Sequence, residues 1–356
     1  VLIGAYDDVD IRSEWNGSID EVMIFNRSLS ASEVMALYNA SDLSGYNGID
    51  ENYTSQLSDG AHSFEAIVVD SASNVVSAGV RNVQLSSGGS IADCGVLDEA
   101  NIVYTLSGNV SSTGTCFNVS AANVTLDCGG NWINYSSTSS GYGVYSDQYN
   151  TTIKNCNIQA TSSADSHGIF FQGASNSTIF NNSITTIGAF GIEGYPGNYF
   201  NISNNNINSG GSGLYFRTSS YHDVRHNNIT TTASGDAIYL WTSTNHYYEN
   251  NTVRPWDGVH SHNLKMYSHS KNNIFKNMYF ATISSSDTSA AIVVYGGLCV
   301  NNSIIDSVIS APNNQDILLE GDVTAGSFLR LLNVSFNKSS VSMNYDNFEL
   351  QVEFYL

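Results

Sequence analysis

The residues best suited to chemistry in this sequence of 356 residues lie in one short segment with a tryptophan, an aspartate and two histidines. They are Trp256, Asp257, His260 and His262. Histidines separated by one residue can coordinate a metal ion, and an indole ring can stack on a sugar. The segment can also be a surface loop beside a corner of stacked histidines, because other histidines such as His222 precede it. The sequence leaves both interpretations open.

Aromatic side chains offer a second way to contact a sugar. Six of them fall in the repeated part of the chain, at Tyr142, Tyr145, Tyr239, Trp241, Tyr247 and Tyr248. Such rings either line a carbohydrate-binding face or pack between neighbouring repeats. The sequence does not decide between these two arrangements.

Acidic side chains do not suggest a catalytic centre. Enzymes that cleave polysaccharides need clustered carboxylates on one face. Asp223 and Glu249 come from neighbouring repeats but not from matching positions, so we expect no catalytic residues and do not favour an enzyme. The run Asp7-Asp8-Val9-Asp10 either binds Ca²⁺ or is a solvated loop. Apart from N-linked glycan, we expect no cofactor and no further metal site.

The five cysteines suggest two disulfides and one leftover thiol. Cys94 and Cys116 flank one segment and could staple it, whereas Cys128 and Cys156 occupy matching positions in successive repeats. Stacked strands about 4.8 Å apart allow a disulfide. The alternative is a stack of reduced cysteines, and Cys299 would remain free.

The charge balance excludes some classes of partner. Acidic residues number 32 against 12 basic ones, which leaves a net charge of −20 and argues against nucleic-acid binding. No apolar run approaches the roughly 18 residues of a membrane helix. The chain begins at Val1 and ends in a strand-like alternation, so we expect it to be part of a longer protein.

Asparagine is unusually common, with 42 residues, and many occur in N-x-[ST] sequons. The sequence predicts glycosylation at Asn16, Asn26, Asn39, Asn52, Asn109, Asn118, Asn123, Asn134, Asn150, Asn176, Asn201, Asn228, Asn301 and Asn337. Three further sequon residues, Asn181, Asn250 and Asn333, coincide with repeat positions that we expect to turn inward. A secreted protein carries such glycans on its surface, so we expect an extracellular or cell-surface location.

A repeat of 22 to 30 residues runs from Leu126 to the C-terminal part of the chain. Each unit contains the pattern I-x-N-x-x-I and a second short strand after a glycine or other small residue. The first apolar anchors are at 126, 153, 179, 202, 224, 248, 274, 304 and 331. One such unit cannot bury its own apolar face, but a stack can. The fold class is therefore all-β, as a right-handed parallel β-helix in which the repeated asparagine marks a corner.

Residues 94–356 resemble the carbohydrate-associated β-helix proteins, a group that includes pectin-degrading enzymes and periplasmic copper-site maturation proteins. The most specific part is the entry segment Cys94-Gly95-Val96-Leu97, Gly114-Thr115-Cys116-Phe117 and Asn123-Val124-Thr125-Leu126-Asp127-Cys128-Gly129-Gly130. This segment is similar to the capping coil of archaeal surface proteins. The resemblance is specific for the fold and not for an activity.

The first 88 residues differ from the repeats. The stretch from Trp15 to Ser30 resembles the end of a laminin-G/concanavalin-like jelly roll, and that from Leu57 to Asp70 resembles the last strands of an Ig-like domain. We therefore expect jelly-roll residues 1–42, Ig-like residues 43–88 and the β-helix at 89–356. Incomplete sandwiches leave strand edges that can recruit partner strands.

These observations favour a structural or adhesive cell-surface glycoprotein. We expect its partners to be other copies of itself, neighbouring surface proteins and glycans, with strand exchange between subunits of a filament or sheath. The alternative is a β-helix protein that binds or cleaves carbohydrate. A groove with paired carboxylates would favour the enzyme.

Overall fold

The computed structural model describes residues 60–69, 75–85, 88–162, 165–233, 235–255, 261–282, 289–320, 327–343 and 348–354. The chain divides into two compact units, Val1–Ala61 and His62–Leu356. Short strands make up most of the described secondary structure, and one 3-10 turn spans Lys338–Ser340. The prediction of an all-β chain is confirmed.

Three parallel sheets run along the repeated part of the chain. Sheet 1 contains Ser90–Ile91, Val103–Leu106, Thr125–Asp127, Thr152–Lys154, Thr178–Phe180, Asn201–Ser203, Asp223–Arg225, Tyr247–Glu249, Ile274–Lys276, Asn302–Ile305, Ser327–Leu332 and Phe348–Glu353. Sheet 2 contains Val110–Ser111, Trp132–Tyr135, Asn157–Ala160, Ser183–Thr185, Asn206–Ser209, Asn228–Thr231, Thr252–Arg254, Tyr279–Ala281 and Val308–Ser310. Sheet 3 contains Gly95–Leu97, Phe117–Val119, Tyr142–Ser146, His167–Phe171, Ile192–Gly194, Leu214–Arg217, Ile238–Trp241, Leu264–Tyr267, Ala290–Tyr295, Gln315–Glu320 and Val341–Met343.

The order of these strands along the chain defines a coil. One coil runs through Thr125–Asp127 in sheet 1, Trp132–Tyr135 in sheet 2 and Tyr142–Ser146 in sheet 3. The next strand, Thr152–Lys154, returns to sheet 1 and pairs in parallel with Thr125–Asp127. Each coil therefore stacks on the previous one, and the predicted parallel β-helix is confirmed. A further two-stranded parallel sheet, Gly197–Asn198 with Ser219–Ser220, lies outside the three long ones.

Inward aliphatic and aromatic residues fill the space between the sheets. On sheet 1 the register aligns Leu126, Ile153, Ile179 and the later anchors in one fully buried column. The expected anchor at Ile274 is wrong by one residue, because Ile274 is 37% exposed and Phe275 occupies the buried position. Alternation along a strand accounts for the difference, since a shift of one residue moves a side chain to the opposite face.

Small residues next to the inward positions of sheet 3 let the coils approach closely. At Gly191 an added Cβ would lie 2.5 Å from Ile207 Cγ2 and 2.7 Å from the carbonyl oxygen of Gly213. Any larger side chain there would force the two coils apart. The glycine that precedes many of these strands is therefore a packing requirement.

The repeated asparagines mark the corner between sheets 1 and 2, as predicted. Asn155, Asn181 and Asn204 have φ between 54° and 57°, the left-handed region that asparagine tolerates better than most residues. Their side chains do not turn inward, however. Asn181 is exposed, and so are Asn250 and Asn333, which corrects the expectation for all three. At such a corner the left-handed residue points outward and the residue after it points into the core.

The buried amides therefore belong to the following residue. Asn182, Asn205, Asn227 and Asn251 form a ladder inside the β-helix, each at most 2% exposed. Oδ1 of Asn205 accepts from the backbone N–H of Asn182 at 2.9 Å, and Nδ2 of Asn205 donates to the carbonyl of Ile179 at 2.9 Å. The ladder satisfies backbone groups that the bend leaves without a strand partner.

Two disulfides join the first coils, and the prediction of disulfides is confirmed. One links Cys94 to Cys116, and the other links Cys128 to Cys156 across successive coils with 4.8 Å between the Cα atoms. Cys299 is buried and free.

The expected N-terminal modules fall largely outside the described residues. Residues 1–42, with the acidic run Asp7–Asp10, are outside them, as is most of segment 43–88. The part that is described, Gly60–Val69 and Val75–Leu85, forms a two-stranded sheet. Among the described residues, no helix is long and apolar enough to cross a membrane.

Candidate functional site

The outer surface of sheet 3 carries aligned rows of aromatic side chains. In one row the register places Tyr145, Phe170, Glu193, Tyr215, Tyr239 and Lys265 above one another in successive coils. A second row places Arg217, Trp241, Tyr267 and Tyr295 above one another. The inward neighbours on these strands are buried aliphatic or aromatic residues, so the rows face outward. We call these two rows, with Tyr142, His167, Phe190 and Tyr195 beside them, the aromatic face.

Ring contacts make the aromatic face continuous over several coils. Tyr215 and Tyr239 stack with centroids 4.9 Å apart, and Tyr267 and Tyr295 stack at 5.3 Å. Trp241 joins these pairs, because its ring centroid is 6.5 Å from that of Tyr239 and makes an edge contact with Tyr267 at 5.4 Å. Trp241 is 37% exposed and Tyr295 is 39% exposed, so ring surface remains open to a ligand.

An arginine lies among the rings of this face. The guanidinium of Arg217 is 3.6 Å from the ring centroid of Tyr195 and about 6 Å from those of Tyr215 and Trp241. Its Nε is buried without a hydrogen-bond partner. No carboxylate of the described residues lies within 4.0 Å of this guanidinium, in contrast to Arg225, which pairs with Glu249.

The two carboxylates of the face already have partners. Glu193 is 5% exposed and lies 2.8 Å from Nδ1 of His167. Asp236, which flanks the face before strand Ile238–Trp241, accepts from the backbone N–H of His262 and lies 3.8 Å from Nζ of Lys265. Burial raises the pKa of Asp236 to about 7, although Lys265 opposes that rise.

Only one residue of the predicted ligand segment, His262, belongs to the described part of the chain. Trp256, Asp257 and His260 lie outside the described residues. His262 is only 4% exposed and contacts Asp236 rather than standing in an open loop. Among the described residues, no group of three His, Cys, Asp or Glu side chains could hold a metal ion.

Two of the histidines near that segment are structural. His222 and His246 stack with ring centroids 4.3 Å apart inside a corner. Nδ1 of His222 accepts from the backbone N–H of Phe200, and Nδ1 of His246 accepts from that of His222. The next residue of this ladder is Asn273, whose Oδ1 accepts from His246 N–H. Burial holds the pKa of both histidines below the ordinary value, to about 3 for His246.

The six predicted aromatic residues divide between the face and other places. Tyr142, Tyr145, Tyr239 and Trp241 lie on the aromatic face. Tyr248 is fully buried in the core, and Tyr247 belongs to sheet 1. Four further rings of the face, Phe170, Tyr215, Tyr267 and Tyr295, were not among the predicted residues. Their signal is an aromatic residue one or three positions after the inward aliphatic residue of a sheet 3 strand.

A second concave surface lies over the asparagine corner between sheets 1 and 2. This groove encloses about 540 Å³ and is lined by residues such as Gly130, Asn155, Asn181 and Asn204. Its amides are engaged with one another: Nδ2 of Asn181 donates to Oδ1 of Asn155. The residues that line this groove offer neither rings nor charge, so we place the candidate site on sheet 3.

None of the predicted glycosylation sites that the structure describes is buried. Asn109, Asn118, Asn123, Asn176, Asn201, Asn228, Asn301 and Asn337 are exposed, and Asn134 and Asn150 are half-buried. Asn16, Asn26, Asn39 and Asn52 lie outside the described residues. That the predicted asparagines carry glycan stays a prediction.

The sequence matches the family model described as "Right handed beta helix region" over residues 65–253 and again over 142–309. No curated protein matches it significantly. Among solved structures, it is similar to a thermostable α-1,3-glucanase catalytic unit from Streptomyces thermodiastaticus, with 12% identity, a TM-score of 0.50, and coverage of 73% of this chain and 60% of that one.

Two further structures show weaker similarity. The Dettilon tailspike protein shares 14% identity over 74% of this chain and 60% of its own, with a TM-score of 0.48. A periplasmic alginate epimerase shares 10% identity over 73% and 78%, with a TM-score of 0.43. The chain thus spans 60% of the tailspike and glucanase structures. At these identities the likeness concerns the fold alone.

Proposed function

Since the chain belongs to the right-handed β-helix family, we propose that it is an extracellular, N-glycosylated surface protein that adheres to carbohydrate through the aromatic face. The observation that carries this proposal is the series of ring contacts along sheet 3, which runs from Tyr142 to Tyr295 although Glu193 and Lys265 also stand in the first row. Aromatic rings present large apolar surface with little loss of side-chain entropy, which suits the apolar faces of sugar rings. From Tyr142 to Tyr295 the face spans seven coils, or about 29 Å at strand spacing.

Arg217 gives the aromatic face a preference for negatively charged ligands. Its guanidinium lies over the ring of Tyr195, and the edge of a guanidinium carries the N–H donors that match carboxylate or sulfate groups. Acidic sugars are therefore the favoured ligands. The disulfides and exposed sequons support an oxidising, extracellular location.

The test is binding of the purified chain to a panel of neutral and acidic polysaccharides by isothermal titration calorimetry. Trp241→Ala should weaken binding about 5- to 10-fold because a stacking surface is lost. Tyr279→Ala, an exposed aromatic on sheet 2, is the matched control and should leave the affinity unchanged. Arg217→Gln should weaken acidic ligands more than neutral ones, whereas Arg225→Gln should weaken neither. Equal affinity of the Trp241→Ala variant and the wild type would refute the proposal.

Cleavage of polysaccharide is the second candidate, because a carboxyl with a pKa near 7 can act as a general acid or base. Asp236 is that carboxyl, with His262 and Lys265 beside it. Its side chain is only 7% exposed and bonds back to the chain, which favours a structural ion pair. Depolymerisation of a bound polysaccharide by the wild type but not by Asp236→Asn would reverse this preference.

Assembly with other copies is the remaining part of the proposal. The incomplete sandwich-like segments of the sequence support it, since open strand edges recruit partner strands. Electron microscopy of native material would show a filament or sheath if strands are exchanged, and separate particles would rule out that assembly.

A further inference from the structure

The corner between sheets 3 and 1 contains a column of left-handed residues. In successive coils these are Asn123, Asn150, Asn176, Tyr199, Tyr221, Asn245, Asn272 and Asn301. Asparagine suits this conformation, and its amides also bridge coils here. Nδ2 of Asn150 donates to Oδ1 of Asn123, and Nδ2 of Asn272 donates to Oδ1 of Asn245. Tyrosine replaces asparagine in two adjacent coils only.

These two tyrosines are unfavourable on local grounds. Tyr199 has φ of 60° and Tyr221 has φ of 63°, a region that a bulky side chain rarely adopts. Neither ring can continue the amide bridge. Their rings are not sheltered in return, because Tyr199 is 54% exposed and Tyr221 is 51% exposed. Backbone outliers that the packing does not explain are a reason to look for a function.

The two rings form a flat platform. Their centroids are 5.0 Å apart and their planes differ by 7°. This separation is close to the spacing of stacked coils, so the rings stack along the axis of the β-helix. One face of Tyr199 is covered by Tyr221, and its other face points toward the preceding coil.

The residue of this column in the preceding coil is Asn176, an exposed sequon residue. Its backbone N–H donates to the carbonyl of Asn198, which fixes it one coil below Tyr199. Within the described residues its side-chain amide makes no hydrogen bond, unlike that of Asn150. Nδ2 of Asn176 is therefore available for modification, one coil before Tyr199 in the same column.

We propose that Asn176 carries an N-linked glycan whose first sugar packs on Tyr199, with Tyr221 supporting the ring from behind. The inference rests on the glycosylated state in the proposed function. A lipid-linked oligosaccharide supplies the sugar: its C1–O bond breaks, an Nδ2–C1 bond forms, and the lipid phosphate leaves with the electron pair of the broken bond. The proton lost from Nδ2 balances the charge of that released phosphate. The platform replaces the amide bridge of the other coils by a contact between glycan and ring.

The test uses the full chain from a glycosylating host, with site occupancy measured by mass spectrometry. Asn176→Gln removes this glycan alone and should lower the melting temperature by about 2–3 °C in the wild-type background. In a Tyr199→Asn background, which restores the residue type of the neighbouring coils, the same substitution should have no effect. Asn301→Gln is the matched control, because Asn301 is a sequon in the same column whose neighbour is Asn272. Loss of the glycan at Asn301 should leave the melting temperature unchanged.

Nuclear Overhauser contacts between sugar protons and a labelled Tyr199 ring should accompany the stabilisation. An unoccupied Asn176 in a chain whose other sequons carry glycan would overturn the inference but not the glycosylated state. An equal loss of melting temperature in both backgrounds would overturn it too, because the ring would then play no part. Absence of glycan at every sequon would refute the glycosylated state itself.

Discussion

Equivalent positions in successive coils usually hold the same type of side chain in the same environment, so positions with a different residue type are informative. His222 and His246 take positions in a buried ladder where the next coils use Asn273 and Asn302. Each imidazole serves as an acceptor through Nδ1, the role that Oδ1 plays in asparagine. The histidines are thus ladder members and not metal ligands.

The buried pair should make stability depend on pH. Burial lowers the pKa of both histidines in the folded state, to about 3 for His246, whereas an unfolded histidine titrates near 6.5. Stability from the neutral rings is therefore complete above about pH 6.5 and is lost as the pH falls toward the folded pKa. Each histidine contributes up to about 1.4 kcal/mol per pH unit in that window.

The double variant His222→Asn/His246→Asn keeps a side-chain hydrogen-bond acceptor at both ladder positions and removes the two imidazoles that titrate. Its free energy of unfolding, measured with urea from pH 8 to pH 4, should decrease less steeply than that of the wild type. His226→Asn is the control, since His226 is exposed at the outer corner. If the free energy of unfolding has the same dependence on pH in the double variant and the wild type, these two rings do not take up protons when the protein unfolds.

At the scale of an element, the corner between sheets 1 and 2 depends on two adjacent asparagines with different tasks. Asn204 adopts the left-handed conformation and faces outward, whereas Asn205 turns inward. The buried amide replaces strand pairing where the chain bends. A repeated asparagine in the sequence predicts the corner. Only the structure shows which of the two asparagines adopts the left-handed conformation and which one is buried.

We expect Asn205→Ala to destabilise the protein by about 2–4 kcal/mol, because the N–H of Asn182 and the carbonyl of Ile179 lose their buried partner. Asn206→Ala, one position further along and exposed, should cost less than about 1 kcal/mol. Urea denaturation of both variants gives the comparison. Similar losses for the two would mean that the inner ladder carries no special share of the stability.

For the whole molecule, each coil contacts mainly its two neighbours, so stability should be local along the stack. Both disulfides lie in the first coils, between Cys94 and Cys156. The Cys128–Cys156 bond closes a loop with a sequence separation of 28, for which chain entropy predicts about 3–4 kcal/mol.

Cys128→Ser/Cys156→Ser should therefore loosen one end of the stack. Hydrogen exchange measured by mass spectrometry should accelerate in residues 94–160 and stay unchanged in residues 238–309. Cys299→Ser, which removes the buried free thiol, should not accelerate exchange in residues 94–160. A uniform loss of protection along the chain would instead indicate that the β-helix unfolds as a single cooperative unit.

The repeat, the β-helix and the asparagine corner could all be predicted from the residue pattern. Each depends on residue type at a fixed spacing: aliphatic residues every 22 to 30 positions and an asparagine that tolerates positive φ. The sequence also indicated disulfide bonding, because matching positions in stacked coils lie within bonding distance. It misplaced the anchor at Ile274 by one residue, where Ile274 and Phe275 are both apolar and the spacing alone does not choose between them.

The candidate site, in contrast, becomes visible only when the coils are stacked. The side chains of the aromatic face are some 22 to 28 residues apart in sequence and become neighbours only through the register of sheet 3. Tyrosines divide in the same way: Tyr248 lies in the buried column of sheet 1, whereas Tyr239 lies on the outer surface of sheet 3. Alternate residues of a strand face opposite sides of the sheet, so a side chain's face depends on where its strand begins. The sequence leaves the start of each strand uncertain by a few residues, because the length of each corner varies. The face of a given ring is therefore known only from the three-dimensional structure.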